Sequence, residues 1–476
     1  MLRRSFCFSA ALSLSLPLSV CAEEAAEGVS LLVIGAGAAG LSAAVSAAQQ
    51  GLKNILVIDK APFIGGHSAL SGGSVNAVDP EIQLKEGIKD SPEFWSRQIM
   101  EEGGFTNEPK LVKTLVENAY PTLNWLRELG IPFDDRVFEA WGGKYKRAHS
   151  AGQKRNGMTY VRVMNQKARA LDVQIRLRCK ALELLARKGS VAGAVVENKD
   201  GVKKKIFAKA VLIATGGFTA NVQMRERYDP RLRAEFRTTA NPSGKGFDGS
   251  TGDGILMAEK LGALTADMDA IQLIPLRGGR LLNYAGGDMF VDGSGRRFTD
   301  ETQSITALSK AYLNLTSKPM WVITDSLSNK GLDLEAKLLS GEVQTADSVE
   351  EMADKMGVSR AQLRSTLNRY NDFARRGKDE DFGRTIFTQT IEKPPFYFGK
   401  ERFDIHYSCG GLRINEVGEV LGKEEKAIPN LYAVGEVTGG IHGRGRLGGD
   451  SLIACFVFGK LTGEKIAKSL KSQSPQ

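Results

Sequence analysis

Cysteine and histidine are scarce in this 476-residue chain, which has five of the first and four of the second. Cys7, Cys21, Cys179, Cys409 and Cys455 show no C-x-x-C spacing. That excludes a zinc ribbon and a thioredoxin-type pair, and without C-x-x-C-H it excludes a covalently attached c-type haem. The three cysteines after residue 22 are expected as small buried hydrophobes, and no metal site is expected. There is no basic tract interleaved with aromatics. The 64 Lys and Arg and 55 Asp and Glu are scattered, for a net charge of +9. Nucleic-acid binding therefore has no support. A basic surface suits an anionic substrate or an acidic redox partner. No membrane span is expected after residue 22, because the apolar stretch 31–48 is broken by Gly35, Gly37 and Gly40.

What remains is an ordinary globular balance, 42% hydrophobic and 25% charged, long enough for two domains. The first 22 residues read as a signal peptide. Arg3 and Arg4 precede an apolar stretch, and Val20-Cys21-Ala22 resembles a small-residue cleavage site. Arg3-Arg4-Ser5-Phe6 fits the twin-arginine route, with an ordinary Sec signal as the alternative. Either way the expected location is periplasmic.

A dinucleotide-binding unit follows directly. Residues 29–34 read as a buried strand, then Gly35-x-Gly37-x-x-Gly40 opens an Ala-rich helix over 41–50. A second strand over 54–59 ends on Asp59, 19 residues past Gly40. The glycines allow a tight turn, close approach to a pyrophosphate and close helix–strand packing. The helix N-terminus offers free N–H groups to phosphate, with Ala38 at its mouth. Asp59 suits a ribose hydroxyl pair, and Lys60 follows it. Further Gly-rich segments recur: Gly65-Gly66-His67-Ser68, Gly72-Gly73, a strand 210–214 ending in Ala214-Thr215-Gly216-Gly217, and a strand from Leu431 leading into Gly435-Glu436. Their spacing suits one long cofactor, FAD, lying across the ends of several strands.

The segment Gly435-Glu436-Val437-Thr438-Gly439-Gly440-Ile441-His442-Gly443, with Arg446-Leu447-Gly448-Gly449, resembles the soluble fumarate reductases of the flavocytochrome c type. These belong to the fumarate reductase and succinate dehydrogenase flavoprotein superfamily. Ala214 to Gly217, Gly295-Arg296-Arg297-Phe298, and His406 before Gly410-Gly411 extend the resemblance across residues 31–466. It implies an α/β fold in which a Rossmann-type FAD-binding domain (28–267 and 408–470) is interrupted by an inserted α+β clamp domain (268–407). It also implies FAD, with Ser451 and Leu452 among its contacts, and reduction of an activated C=C bond. Some relatives attach FAD through a His in the region of His67, but the spacing from His67 to the next Gly-Gly differs, so non-covalent FAD is expected. Ser348-x-x-Glu351 and Ser359-x-x-Gln362 read as capping boxes of two clamp helices, the second reaching about residue 375.

Reducing an α,β-unsaturated acid requires positive charge at the carboxylate. Arg446 and His406 match the family's carboxylate-binding pair, and Gly448, Gly449 and Trp141 match its substrate side. From the residues alone, Arg446 is also a possible flavin-phosphate contact and His406 a packed interdomain histidine. Two positions depart from the family. Ile305 stands where relatives have the proton-donating Arg, and Ile274 where they have a second carboxylate ligand. Arg277, Arg280 and Tyr284 are the candidates for a replacement acid, Tyr284 being compatible with a dehydrogenase as well. Three readings follow. One is an exported reductase of a fumarate-like or acrylate-like acid in anaerobic respiration, fed by a separate c-type cytochrome or flavoprotein. The second is an FAD dehydrogenase running oxidatively. The third is a flavin-binding protein that has lost catalysis.

Overall fold

The computed structural model describes residues 27–151, 156–275, 278–282, 285–331 and 333–472. Residues 1–22, read above as a signal peptide, and Arg277 and Tyr284 lie outside them. The centre is an eight-stranded sheet. Its order is Glu419–Leu421, Ala427–Ala433, Lys203–Ile213, Glu27–Ile34, Ile55–Ile58 and Gln174–Arg176, and the hairpin Lys180–Arg187 and Ser190–Glu197 joins at Lys203–Ile213. From Ala427–Ala433 to Gln174–Arg176 all neighbours are parallel. Ile55–Ile58 and Ala210–Ile213 are wholly buried, as strands covered on both faces must be.

The register sets the site. Ile34 lies opposite both Ile58 and Ile213, and Ala433 lies opposite Ile213. Four strands therefore stop level, each followed by one of the segments expected to bear the cofactor. The helix after the first strand spans Ala38–Gln49, beginning three residues earlier than expected, because Gly37 is its N-cap and Ala38-Ala39-Gly40 form its first turn. The long helix Asp450–Ser472 packs across it. A Cβ on Gly459 would stand 2.8 Å from Ala39 O, and one on Gly463 2.3 Å from Ala43 O, so only glycine permits this approach.

A second, antiparallel sheet is built from Met289–Val291, Met320–Thr324, Phe396–Glu401 and Gln344–Ala346. Helices Val349–Met356 and Arg360–Arg376 cover it around Trp321, Met352, Leu367, Tyr370 and Phe398. Both helices are capped by serine. Ser348 Oγ accepts from Glu351 N while Glu351 reaches back to Asp347 N, and Ser359 Oγ accepts from Gln362 N.

The two sheets are joined by strands Ile271–Ile274 and Asp404–Ser408, which pair antiparallel. Gln272 faces Tyr407 and Leu273 faces Ile405, so His406 is the extra residue of a β-bulge. A bulge bends its strand and re-aims a side chain.

Candidate active site

A cavity of about 570 Å³ opens along the level strand ends. The expected cofactor contacts Gly35, Gly37, Ala38, Asp59 and Lys60 line it. So do Gly66, His67, Ser68, Gly72, Ala214, Thr215, Gly216, Gly435, Glu436, Ser451 and Leu452. Three expected contacts do not. A Cβ on Gly40 would lie 2.0 Å from Gly35 O, so this glycine serves helix–strand packing. Gly73 closes on the Asn156 backbone, and Gly217 makes room for Ser408 Oγ and Glu436 Oε1.

The lining fits a dinucleotide. The first turn of Ala38–Gln49 carries no acid, and Gly37 has no protein atom within 3.6 Å of where a Cβ would stand, since the nearest is Ser68 Oγ at 3.7 Å. That leaves a helix N-terminus open to phosphate. Thr215 and Ser250 line the cavity, and their hydroxyls are buried with no hydrogen-bond partner among the described residues. Such groups demand one. Asp59 accepts from Ala36 N and Ala61 N, both at 2.8 Å, which points its carboxylate across the turn. Burial pushes its pKa up. The Lys60 ammonium is held by Asp253 and Thr251 instead of reaching the cofactor alone.

His67 stands between two acids. Its Nε2 lies 2.7 Å from Asp248 Oδ1 and its Nδ1 3.9 Å from Glu436 Oε2. Burial lowers the pKa of the ring, but the bond to Asp248 and the charges of Glu436 and Asp248 outweigh it, so the net pKa is raised. Asp248 is correspondingly held down, to about 2.

His406 lines the same cavity from the bulge, with Nδ1 bonded to Thr239 Oγ1 at 2.9 Å. Burial, then the charge of Arg446, lowers its pKa to about 3, so the ring is neutral. Arg446 lies behind Tyr407 and off the cavity lining. Its guanidinium carbon is 4.8 Å from the Tyr407 ring centroid, Nη2 donates to Gln272 Oε1 and Nη1 to Leu447 O. Its Nε is buried with no partner among the described residues. A fixed guanidinium with one unsatisfied N–H is poised to bind an anion.

The remaining expected residues lie off the cavity lining. A Cβ on Gly448 would lie 1.9 Å from Trp141 O, and one on Gly449 2.4 Å from Asn76 Oδ1. The glycines expected at the substrate thus make room for protein. Ile305 opens the helix Ile305–Leu313 and packs toward Gly142. Ile274 is buried. Arg280 stacks on Trp141 at 5.5 Å and pairs with Asp288. Sequence reasoning missed Gln272, Thr239, Asp248 and Tyr407. Only the positions of Gln272 and Tyr407, beside singled-out residues, hinted at a role.

A cofactor bed of this form, with a neutral histidine and a buried arginine beside it, defines an FAD-dependent oxidoreductase. The model of the FAD binding domain family matches residues 30–452. A probable fumarate reductase, Ifc3, of Shewanella frigidimarina (strain NCIMB 400) is 34% identical over 93% of this chain and 75% of its own. A urocanate reductase of Eggerthella lenta is 30% identical over 92% and 74%. The open conformation of a flavocytochrome c3 fumarate reductase superposes with a TM-score of 0.77 at 33% identity, covering 93% of this chain and 79% of that one. The chain belongs to the flavocytochrome c type fumarate reductase family, whose flavin enzymes act on carbon–carbon bonds.

Proposed function

We propose that this protein reduces the C=C bond of an α,β-unsaturated acid bearing one carboxylate and an apolar or aromatic end, such as an arylacrylate. The observation that carries the reading is an asymmetry. Arg446, with its buried unpartnered Nε, and neutral His406 provide for one carboxylate. Ile274, 3% exposed, and Ile305, 4% exposed, stand at the positions where the family pattern has polar groups. A second carboxylate against Ile274 would lose a charge-assisted hydrogen bond, costing about 2–4 kcal/mol. An apolar group would gain from burial there. The urocanate reductase among the relatives is named for an aryl-type acrylate.

The bound flavin supplies hydride chemistry at N5. Gly37, Ala38, Asp59 and Thr215 would hold the cofactor. Arg446 draws charge onto the substrate carboxylate and stabilises the enolate-like transition state. His406, its Nδ1 committed to Thr239, presents Nε2 to the same carboxylate. The reading includes export to the periplasm. There, anaerobic respiration would supply electrons through a separate c-type cytochrome or flavoprotein, with NADH a poor direct donor. The test is kcat/KM with reduced viologen for fumarate against an arylacrylate and a methyl-substituted acrylate. A roughly 30- to 1,000-fold preference for the monoacid is expected from the lost hydrogen bond. A clear preference for fumarate would end the substrate reading.

A further inference from the structure

Proton delivery is the unfilled role, because Ile305 has no proton to give. A buried charge stands nearby, reached from Ile305 through Gly142 and Trp141. Arg280 is fixed on four sides. Its N–H donates to Glu401 Oε2 at 3.0 Å, its carbonyl accepts from Lys337 Nζ at 2.6 Å, its Nε donates to Asp288 Oδ2 at 2.9 Å, and its guanidinium lies over the Trp141 ring. The backbone before it is pressed onto the strand Phe396–Glu401. A Cβ on Gly279 would stand 2.3 Å from Gly399, and one on Gly278 2.4 Å from Glu401 Oε1. The Arg280 side chain is 10% exposed and that of Asp288 1%. A solvated loop arginine needs none of these fixings, whereas a group held to a reacting geometry needs them all.

Its neighbours place it. Trp141 precedes Gly142, the residue on which Ile305 rests, and its carbonyl presses on Gly448, two residues past Arg446. Arg280 is therefore linked to Ile305 through Trp141 and Gly142.

We propose that Arg280 is the catalytic acid of this enzyme, with Glu401, Lys337 and Asp288 as its positioning residues. The proposal rests on the reductase reading above. Once hydride has reached the β-carbon, the former π pair resides on the α-carbon. Arg280 gives that carbon a proton, forming C–H and breaking N–H, and the neutral guanidine is reprotonated by water. The Coulomb field of Asp288 favours the return of its charge. Burial pushes the Glu401 carboxyl up to about 7 against the charges of Lys337 and Arg280 that face it, and the Arg402 N–H is its second donor. Ionised Glu401 accepts both N–H groups, and the neutral acid accepts them more weakly.

The experiment is anaerobic single-turnover reoxidation of the reduced protein by unsaturated acids, with binding of the saturated product acid measured separately. Wild type must reoxidise with some acid; failure with every acid refutes the reductase reading and leaves Arg280 without a reaction. Arg280→Met should bind FAD and product as wild type does but lose roughly 100- to 10,000-fold in rate with all acids. Arg280→Lys should restore part of the rate. Glu401→Gln should bind product normally and lose the inflection near pH 7 from the rate–pH profile. Three results would overturn the proposal. One is Arg280→Met turning over within threefold of wild type. Another is a loss confined to KM for diacids. The third is the loss appearing instead in Lys144→Met, whose ammonium pairs with Glu102, the acceptor of the Thr306 hydroxyl next to Ile305.

Discussion

Gln272 and Arg446 bind each other twice. Gln272 Oε1 accepts from Arg446 Nη2 at 2.9 Å, and Gln272 Nε2 donates to the Arg446 carbonyl at 3.0 Å. The amide thus fixes both the guanidinium and the backbone that carries it. Removing it leaves a buried charge short of a partner, at a cost of about 1.5–3 kcal/mol. Gln272→Leu should lower kcat/KM roughly 10- to 100-fold while leaving the FAD content unchanged. Steady-state kinetics on the purified holoprotein decide this, and an unaltered kcat/KM would dissociate Gln272 from the site.

Arg446→Ala removes the charge itself. The cofactor bed lies elsewhere, so the variant should keep about one FAD per chain. Turnover should fall at least roughly 100- to 1,000-fold, the loss typical of deleting a transition-state charge stabiliser. Flavin absorbance per chain and turnover with reduced viologen report the two halves. Retained turnover would remove Arg446 from the mechanism.

The register behind these predictions was only partly written locally. From Val29 to Asp59 the chain carries its own instructions: strand, glycine turn, helix, strand and acid lie within 31 consecutive residues, and backbone sterics with hydrophobic pattern suffice. The two serine caps were legible for the same reason. The grip of Gln272 on Arg446 spans 174 residues. The fixings of Arg280 come from segments 8, 57 and 121 residues away. The bulge that turns His406 toward the cavity exists only because Ile271–Ile274 pairs with its strand. Nothing in Asp404-Ile405-His406-Tyr407-Ser408 announces that partner.

His67 bears on how FAD is held. Both ring nitrogens face carboxylates, which favours the protonated ring, and a protonated ring has no lone pair for bonding to a flavin carbon. Denaturation in trichloroacetic acid should therefore release all the FAD into the supernatant. Flavin fluorescence remaining with the precipitated chain would show covalent attachment.

His442 makes a pH prediction. Burial and the Arg446 charge lower its pKa from 6.5 to about 3. The unfolded chain therefore takes up a proton below pH 6.5 that the folded chain refuses until about pH 3. Stability from the neutral ring is full above pH 6.5 and declines as pH falls through that window. Glu401 and Asp450, with pKa values raised to about 7 and 6, act with the opposite sign, so the comparison must be between variants. His442→Phe should lose less Tm than wild type between pH 6.5 and 4.5. Parallel Tm curves would show that the ring titrates normally.

The level ending of the strands at Ile34, Ile58, Ile213 and Ala433 also separates two kinds of sequence change. The segments that bear the cofactor are placed by strand length rather than by side-chain identity within the strands. Side chains along these strands can drift among apolar types and leave the bed in place. A single-residue insertion within one of them would lower one stair of the landing and turn every later side chain of that strand to the opposite face. Homologous chains should therefore vary freely in letter along these strands and hardly at all in length, with insertions confined to the loops at the other end of the sheet.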